Sequence, residues 1–172
     1  MLNSSFSVNS FKLKESFLEN YKGKQPDWGP LGYFTYKRTY SRFLELENRK
    51  EEFWETLRRV VEGCFSLLKE HCNHFMIPWD EGKAKNSAEK MYDKMWNFKF
   101  LPPGRGLWIM GTNFMEEHGS AALNNCGFVS TEDLDLKHSK AFEFLMDCLL
   151  VGVGVGFDTK GANKLMIKQP ES

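Results

Sequence analysis

The sequence predicts an α/β protein in which a mainly helical region, residues 1–100, precedes the first strands of a parallel α/β domain, residues 101–172. Two observations lead to this prediction. Apolar residues recur at helical spacing in the first region, whereas after Gly111 two strand-like segments flank a helical one. Strand, helix, strand is the repeating unit of parallel sheets and barrels. Two or three strands complete neither structure, so we expect a truncated domain whose next strands lie outside this sequence.

The helical region is predicted to begin with a loosely ordered arm. Residues 1–20 are polar with scattered phenylalanines, and the arm is expected to end in a short helix. Residues 22–32 contain two prolines and three glycines, which predicts a loop. Residues 33–36, Tyr-Phe-Thr-Tyr, predict a short strand.

Two longer helices follow. The first is predicted over residues 48–70, where Asn48 and Glu51 give a capping-box pattern at its start. The second is predicted over residues 87–98, with the same pattern starting at Asn86. Each carries apolar side chains on one face, so we expect both faces to lie in the core.

The second region is predicted to alternate strands with a helix. Residues 121–129 predict a strand, residues 137–150 a helix and residues 151–157 a second strand. Residues 165–167 predict a third strand.

Charge and composition narrow the possible functions. Lys plus Arg (23) equals Asp plus Glu (23), so the chain lacks the basic field that binds nucleic-acid polymers. The N-terminus has no signal-peptide pattern, and no apolar run approaches the ~20 residues that span a bilayer. Four dispersed cysteines predict thiols in a reducing compartment. We therefore expect a cytoplasmic protein that binds neither a membrane nor polymer nucleic acid.

Glycines alternate with valines in Gly152-Val153-Gly154-Val155-Gly156. A dinucleotide-binding fingerprint needs glycines that follow a strand and open a helix, whereas these follow a helix and lie within a strand. The alternation predicts a strand with valines on one face and bare backbone on the other. Two explanations stay open: the bare face admits a ligand, or it lets the preceding helix pack closely.

Cys126 lies in a predicted strand, between Asn124-Asn125 and Gly127. A lone cysteine in a strand is most often an inert buried thiol. The neighbouring amides and glycine, however, supply polar contacts and room around the sulfur. Because no base or second thiol is near in sequence, the residues alone leave both the inert and the reactive interpretation open.

Other candidate sites have weaker support. His71-Cys72-Asn73-His74 holds three possible metal ligands, but a closed zinc site needs a fourth. We favour a helix C-terminus, where histidines face the negative end of the helix dipole, and expect no metal site in the chain. Cys64 and Cys148 are predicted to be structural.

Residues 101–108, Leu-Pro-Pro-Gly-Arg-Gly-Leu-Trp, predict a shaped loop. This composition suits a turn that faces an anion. A purely structural turn with a solvated Arg105 explains it better.

Five segments occur in a specific order along the chain. They are Phe100-Leu101-Pro102-Pro103-Gly104-Arg105-Gly106-Leu107-Trp108, Met110-Gly111-Thr112, Leu123-Asn124-Asn125-Cys126-Gly127-Phe128-Val129-Ser130-Thr131, Phe144-Leu145-Met146-Asp147 and Gly152-Val153-Gly154-Val155-Gly156-Phe157-Asp158-Thr159-Lys160-Gly161. In this series the chain resembles the monomeric, adenosylcobalamin-dependent class of ribonucleotide reductase. Residues 32–42 are similar to the N-terminal region of the same enzymes, and the resemblance covers nearly the whole of residues 21–170. Asn163, where glycine is expected, departs from the pattern without touching the predicted chemistry.

The resemblance implies a ten-stranded α/β barrel preceded by a helical region, with this chain supplying the helical region and the first strands. It also implies the reaction, in which hydrogen replaces the ribose 2′-hydroxyl of a ribonucleoside triphosphate. A thiyl radical generated through adenosylcobalamin removes the 3′-hydrogen. A cysteine pair then supplies the electrons, and thioredoxin resets the resulting disulfide.

The same resemblance assigns residues. Cys126 matches the reducing cysteine on the first barrel strand. The residues that would border the substrate are Asn125, Ser130, Thr131, Gly154 and Gly156. The cobalamin site, the radical cysteine and the second reducing cysteine would belong to the remainder of the reductase chain. We therefore expect the isolated 172-residue chain to reduce no nucleotide.

Two alternatives stay open. The first is an inactive fragment or split-gene half that acts as a nucleotide- or partner-binding module, which an in-frame continuation of the coding DNA past Ser172 would exclude. The second is a reductase with a different radical source, diferric or glycyl. Dependence of the full-length form on adenosylcobalamin separates that class from the cobalamin class.

Overall fold

The computed structural model describes residues 10–132 and 139–164. Over these residues the protein is a mixture of helices and two small sheets, each of two strands. The chain divides into two compact units, Met1–Glu117 and His118–Ser172. This division reflects compactness alone, so the expected domain boundary at residue 101 stays a prediction. No helix in the described ranges combines the length and the apolar character needed to cross a bilayer.

Helices dominate the first unit. They are α1 (Glu15–Leu18), α2 (Pro30–Thr39), α3 (Phe53–His74), α4 (Glu81–Trp96), α5 (Gly104–Ile109) and α6 (Asn113–His118, whose last residue lies past the unit boundary). Two short antiparallel strands, β1 (Phe43–Leu44) and β2 (Arg49–Lys50), precede α3. The two longest helices, α3 and α4, pack against each other and bury Leu57, Val60, Tyr92 and Met95. Their apolar faces lie in the core, as predicted.

The start of α3 lies five residues beyond the predicted start. A capping box does open this helix, but it is formed by Glu52 and Glu55, where the Glu55 carboxylate accepts a hydrogen bond from the Glu52 backbone at 2.7 Å. Asn48 instead ends a short 3-10 turn with a φ of 50°. A helix N-cap needs an extended backbone, so the prediction of Asn48 as the cap is wrong.

The start of α4 was also wrongly predicted, in the opposite direction. The helix begins at Glu81, and the Asp80 side chain caps it by accepting a hydrogen bond from the Lys83 backbone at 2.9 Å. Asn86 lies inside the helix, where its side chain caps nothing. Phe98 follows the helix in a left-handed conformation, and 40% of its surface is exposed.

Two segments predicted as strand or loop are helical. Residues 33–36 belong to α2, because Pro30 opens a helix that the pattern Tyr-Phe-Thr-Tyr does not signal. The loop predicted over residues 22–32 therefore ends at residue 29. The Tyr36 hydroxyl is buried against Thr56, 2.8 Å from its hydroxyl oxygen. Residues 104–108 belong to α5, which begins directly after Pro103. Proline fixes a backbone angle that suits a helix start as well as a loop, so composition alone could not separate the two.

The arm before α2 is anchored to α3 over the residues the structure describes. The Phe11 backbone donates to the Ser66 hydroxyl at 3.0 Å, and the Leu13 backbone donates to the buried Glu62 carboxylate at 3.1 Å. The side chains of Phe11 and Leu13 are buried. The predicted loose arm is therefore wrong for residues 10–14, whereas the short helix predicted at its end is present as α1 (Glu15–Leu18). Residues 1–9 lie outside the described chain.

Arg59 of α3 forms a buried ion pair with Glu51 and also hydrogen-bonds to the end of α5. Glu51 and Arg59 have side chains that are only 5% and 14% exposed, and their Oε1 and Nε atoms are 2.8 Å apart. The Arg59 guanidinium also donates to the backbone carbonyls of Leu107, at 2.9 Å, and Met110. Arg59 thereby satisfies two carbonyls at the end of α5 that have lost helical partners.

The second unit has the predicted order of strand, helix and strand. Its elements are β3 (Cys126–Val129), α7 (Lys140–Leu150) and β4 (Gly154–Phe157), and the two strands are parallel. Both strands are shorter than predicted, because residues 119–123 form a 3-10 turn and Gly152 forms a turn with a φ of 77°. The predicted third strand at residues 165–167 lies outside the described residues.

Candidate active site

The register of β3 and β4 places Cys126 beside bare backbone. Cys126 pairs with Gly154, and Phe128 pairs with Gly156. Successive residues of a strand point to opposite faces, and residues in register on neighbouring strands share a face. Cys126, Phe128, Gly154 and Gly156 therefore line one face of this two-stranded sheet.

Helix α7 packs on the other face. A Cβ atom added to Gly127 would lie 3.7 Å from the Phe144 ring of α7 and 3.8 Å from a methyl of Val153, which are ordinary contact distances. A Cβ at Gly154 would meet only the Asn125 carbonyl oxygen within 4 Å, at 3.7 Å. One at Gly156 would meet only the Phe128 ring, at 3.9 Å. Packing of the preceding helix therefore explains neither Gly154 nor Gly156.

Cys126 is more exposed than the other three cysteines. Cys126 is exposed, Cys64 and Cys148 are half-buried, and Cys72 is buried. Burial raises the pKa of the Cys64 thiol, which suits its predicted structural role. Of the two interpretations of Cys126 that the sequence left open, the inert buried thiol does not agree with this exposure.

Asn125 lies at the start of the same strand pair. Its backbone carbonyl accepts a hydrogen bond from the Gly154 N–H at 3.1 Å, and the residue is exposed. Asn125, Cys126 and Gly154 are thus neighbours at the amino end of the pair.

At the opposite, carboxyl end of the pair, Asp158 binds the two residues that follow β3. It follows β4 directly, and its carboxylate accepts hydrogen bonds from the Ser130 hydroxyl at 2.7 Å and from the Thr131 backbone N–H at 3.0 Å. The Thr131 hydroxyl lies 2.7 Å from the same carboxylate and accepts from the Gly161 N–H at 2.9 Å. These donors hold the pKa of Asp158 well below its usual range, since the Thr131 backbone N–H and the two hydroxyls stabilise the charged form.

The predicted substrate residues therefore fall at two ends of one strand pair. Asn125, Cys126 and Gly154 are at the amino end, whereas Ser130 and Thr131 follow the carboxyl end. Thr131 is buried, with 7% of its surface exposed, and its hydroxyl is engaged within the chain. Substrate contact by Ser130 and Thr131 stays a prediction, while their bonds to Asp158 are observed.

Comparison with known proteins places the chain in a family. The sequence model of the ribonucleotide reductase alpha domain matches residues 13–112, which is more than half of the chain. The chain belongs to the ribonucleotide reductase family.

Individual ribonucleotide reductases agree with this assignment. The chain is 46% identical over 165 residues to a probable adenosylcobalamin-dependent ribonucleoside-triphosphate reductase of Dictyostelium discoideum, covering 94% of this chain and 22% of that protein. It is 44% identical to the adenosylcobalamin-dependent ribonucleoside-triphosphate reductase of Euglena gracilis, covering 94% of this chain and 22% of that protein. The crystal structure of a B12-dependent, class II ribonucleotide reductase superposes with a TM-score of 0.72 and 34% sequence identity, covering 86% of this chain and 22% of that one. The predicted resemblance is confirmed, and the chain spans about a fifth of the length of these relatives.

The weaker candidates in this reductase segment have structural explanations. α3 ends at His74, so His71 and His74 lie in the last turn of a helix, as predicted. Across residues 10–132 and 139–164, no group of three His, Cys, Asp or Glu side chains is arranged to hold a metal ion. Arg105 is half-buried on α5 rather than fully solvated in a loop.

Sequence reasoning missed the role of Asp158. Its position directly after a glycine-rich strand was a usable signal, because the carboxyl ends of parallel strands are where polar groups gather in α/β folds. Its partners could not be inferred, since Ser130 and Thr131 lie 28 and 27 residues away in the chain.

Proposed function

We propose that this chain is the N-terminal segment of an adenosylcobalamin-dependent ribonucleoside-triphosphate reductase, and that Cys126 is one of its two reducing thiols. One observation carries the proposal. The exposed thiol lies on the open face of a parallel strand pair, beside the bare backbone of Gly154 and Gly156. Backbone without side chains lets a sugar approach the sulfur closely. The relatives that contain the matching segment are named as reductases of this kind.

The chemistry assigned to Cys126 balances as a two-electron reduction. Two thiols and a ribonucleotide give a disulfide, a deoxyribonucleotide and water. Cys126 would donate a proton to the departing 2′-hydroxyl and then bond to a second sulfur. In a disulfide the Cα atoms of the two cysteines lie roughly 4.4–6.8 Å apart. The second cysteine must therefore approach Cys126 across the open face of the strand pair. We place the second cysteine in the part of the reductase outside residues 1–172.

The remaining assignments follow from the same proposal. β3 and β4 would be the first strands of a ten-stranded barrel, with Asn125, Gly154 and Gly156 bordering the sugar and Ser130 and Thr131 nearer the strand ends. Adenosylcobalamin, bound by the rest of the reductase, would supply the radical chemistry that starts the reaction. Thioredoxin would reduce the disulfide between turnovers, and a reducing cytoplasm would keep the four thiols free.

Replacement of Cys126 in the full-length reductase tests this function. Cys126→Ser removes the sulfur and should lower steady-state deoxyribonucleotide formation with thioredoxin by about 10³-fold or more, as loss of an essential reacting group does. Cys148→Ser, a matched change of a half-buried cysteine on α7, should retain most of the activity. Unchanged adenosylcobalamin binding by both variants would show that they fold. Full turnover by Cys126→Ser would refute the proposed role.

A further inference from the structure

The strand that borders Cys126 is poorly suited to fix its own register. β4 is only four residues long, Gly-Val-Gly-Phe, and half of these are glycine. Register is weakly specified in glycine-rich strands, and a slip of one residue turns every side chain to the opposite face. A slip here would put Val153 or Val155 beside Cys126 in place of Gly154. The room beside the thiol therefore depends on whatever holds the two strands in register.

Contacts beyond the ladder hold the pair at its carboxyl end. Asp158 binds the two residues that follow β3 through Ser130 Oγ, Thr131 N and Thr131 Oγ1, at 2.7, 3.0 and 2.7 Å. The Thr131 hydroxyl also accepts a hydrogen bond from the Gly161 N–H at 2.9 Å, in the segment that follows β4. Hydrogen bonds to a charged carboxylate are about twice as strong as neutral ones. They also join fixed positions, since Thr131 and Asp158 each lie two residues or fewer beyond a strand end.

A second link between the same loops is much weaker. Lys160 pairs with Glu132 at 2.9 Å, but both side chains are nearly 60% exposed. Exposed pairs of this kind contribute little, because solvent screens them and ordering two long side chains costs entropy. Thr131, by contrast, is buried at the centre of its contacts.

We infer that Asp158 and Thr131 form a positioning pair that locks β3 and β4 in register and so holds the Cys126 thiol beside the bare backbone of Gly154. This inference rests on the proposed function, because it assigns the pair a role through Cys126. Thr131 and Asp158 follow the carboxyl ends of the two strands, whereas Cys126 lies at the amino end, so the pair would act on the thiol through the strands. Loss of these contacts would let β4 shift against β3, so the Cys126 thiol would no longer be held in its position beside the bare backbone of Gly154.

Variants of the full-length reductase test the role of the lock, the positioning pair of Asp158 and Thr131. Rates are normalised to bound adenosylcobalamin, so that loss of folded enzyme does not count as loss of activity. Thr131→Val keeps the shape of the side chain but removes the hydroxyl, whereas Thr131→Ser keeps the hydroxyl. We expect Thr131→Val and Asp158→Asn to lower kcat by about 10²-fold, the effect of an ~1 Å misplacement, with KM little changed. Thr131→Ser should recover most of kcat. Glu132→Gln, which removes only the exposed pair, should behave like the unmodified enzyme.

The pattern of kcat and KM separates the possible outcomes. A raised KM at unchanged kcat in Thr131→Val would overturn the inference, because it would show uniform substrate binding by Thr131. Full kcat in both Thr131→Val and Asp158→Asn would also overturn it. Suppose that both variants keep full kcat. An inactive Cys126→Ser would then show that only the positioning role of Asp158 and Thr131 is wrong. An active Cys126→Ser would show that the proposed function is wrong. Should Asp158→Asn fail to fold, the comparison of Thr131→Val with Thr131→Ser decides alone.

Discussion

Gly63 and Gly111 illustrate how single residues fix the first unit. A Cβ atom at Gly63, on α3, would lie 2.7 Å from the Gly111 Cα atom, closer than real side chains approach backbone. Gly111 itself has a φ of 73°, and a Cβ there would lie 2.4 Å from the Arg59 carbonyl oxygen. Only glycine at both positions lets the segment after α5 contact the backbone of α3.

Substitution of Gly63 should therefore be costly despite its helical position. Gly63→Ala adds one methyl group against rigid backbone, and we expect it to lower the free energy of unfolding by about 1–3 kcal/mol. Gly82→Ala, on α4, is the matched control: its nearest neighbour is a side-chain oxygen at 3.4 Å, so alanine should be neutral or stabilising by up to about 1 kcal/mol. Urea denaturation of both variants measures the difference. Equal stability of the two would contradict the close approach.

Sequence reasoning at this scale singled out Cys126 as a candidate and missed the contacts of Asp158. The thiol was a candidate because its neighbours, Asn125 and Gly127, adjoin it in the chain. The hydrogen bonds of Asp158 and the contact between Gly63 and Gly111 join residues 27 to 48 positions apart. Only the folded chain brings such residues together.

Among the elements, the helices were predicted better than their ends. Apolar periodicity identified α3, α4 and α7, because one buried face repeats every three to four residues. Capping patterns were ambiguous, since Asn48 and Glu52 both precede α3 and only the backbone conformation selects Glu52. α2 was missed because its aromatic residues favour strands in isolation, whereas burial of Tyr36 against α3 favours the helix.

Arg59, which pairs with Glu51 and contacts the end of α5, should contribute strongly to stability. Arg59→Met would leave the buried Glu51 carboxylate without its cation and two carbonyls without a donor, so we expect a loss of about 3–5 kcal/mol of stability. Lys85→Met breaks a partly exposed pair with Glu81 on α4 and should cost about 1 kcal/mol or less. Thermal and urea unfolding compare the two variants. A similar small loss in both would show that the buried pair contributes little.

At the scale of the whole molecule, the second unit presents surfaces that suit further packing. On α7, Phe142, Met146, Leu149 and Leu150 are between 46% and 78% exposed, and Phe128 on the thiol face is 64% exposed. Large apolar side chains exposed together mark surfaces that contact other protein. This agrees with a strand pair that the rest of a barrel would cover. The sequence predicted the order of strand, helix and strand, whereas the ten-stranded barrel stays a prediction, because the described residues form a single pair of parallel strands.

The central claim is that Cys126 is oxidised when nucleotide is reduced. The most direct measurement is a single turnover of the full-length reductase with adenosylcobalamin and a ribonucleoside triphosphate, without thioredoxin, followed by mass-spectrometric mapping of disulfides. The account predicts one disulfide per deoxyribonucleotide formed, joining Cys126 to a cysteine outside residues 1–172. Deoxyribonucleotide formed in stoichiometric amount while Cys126 stays a free thiol would contradict it.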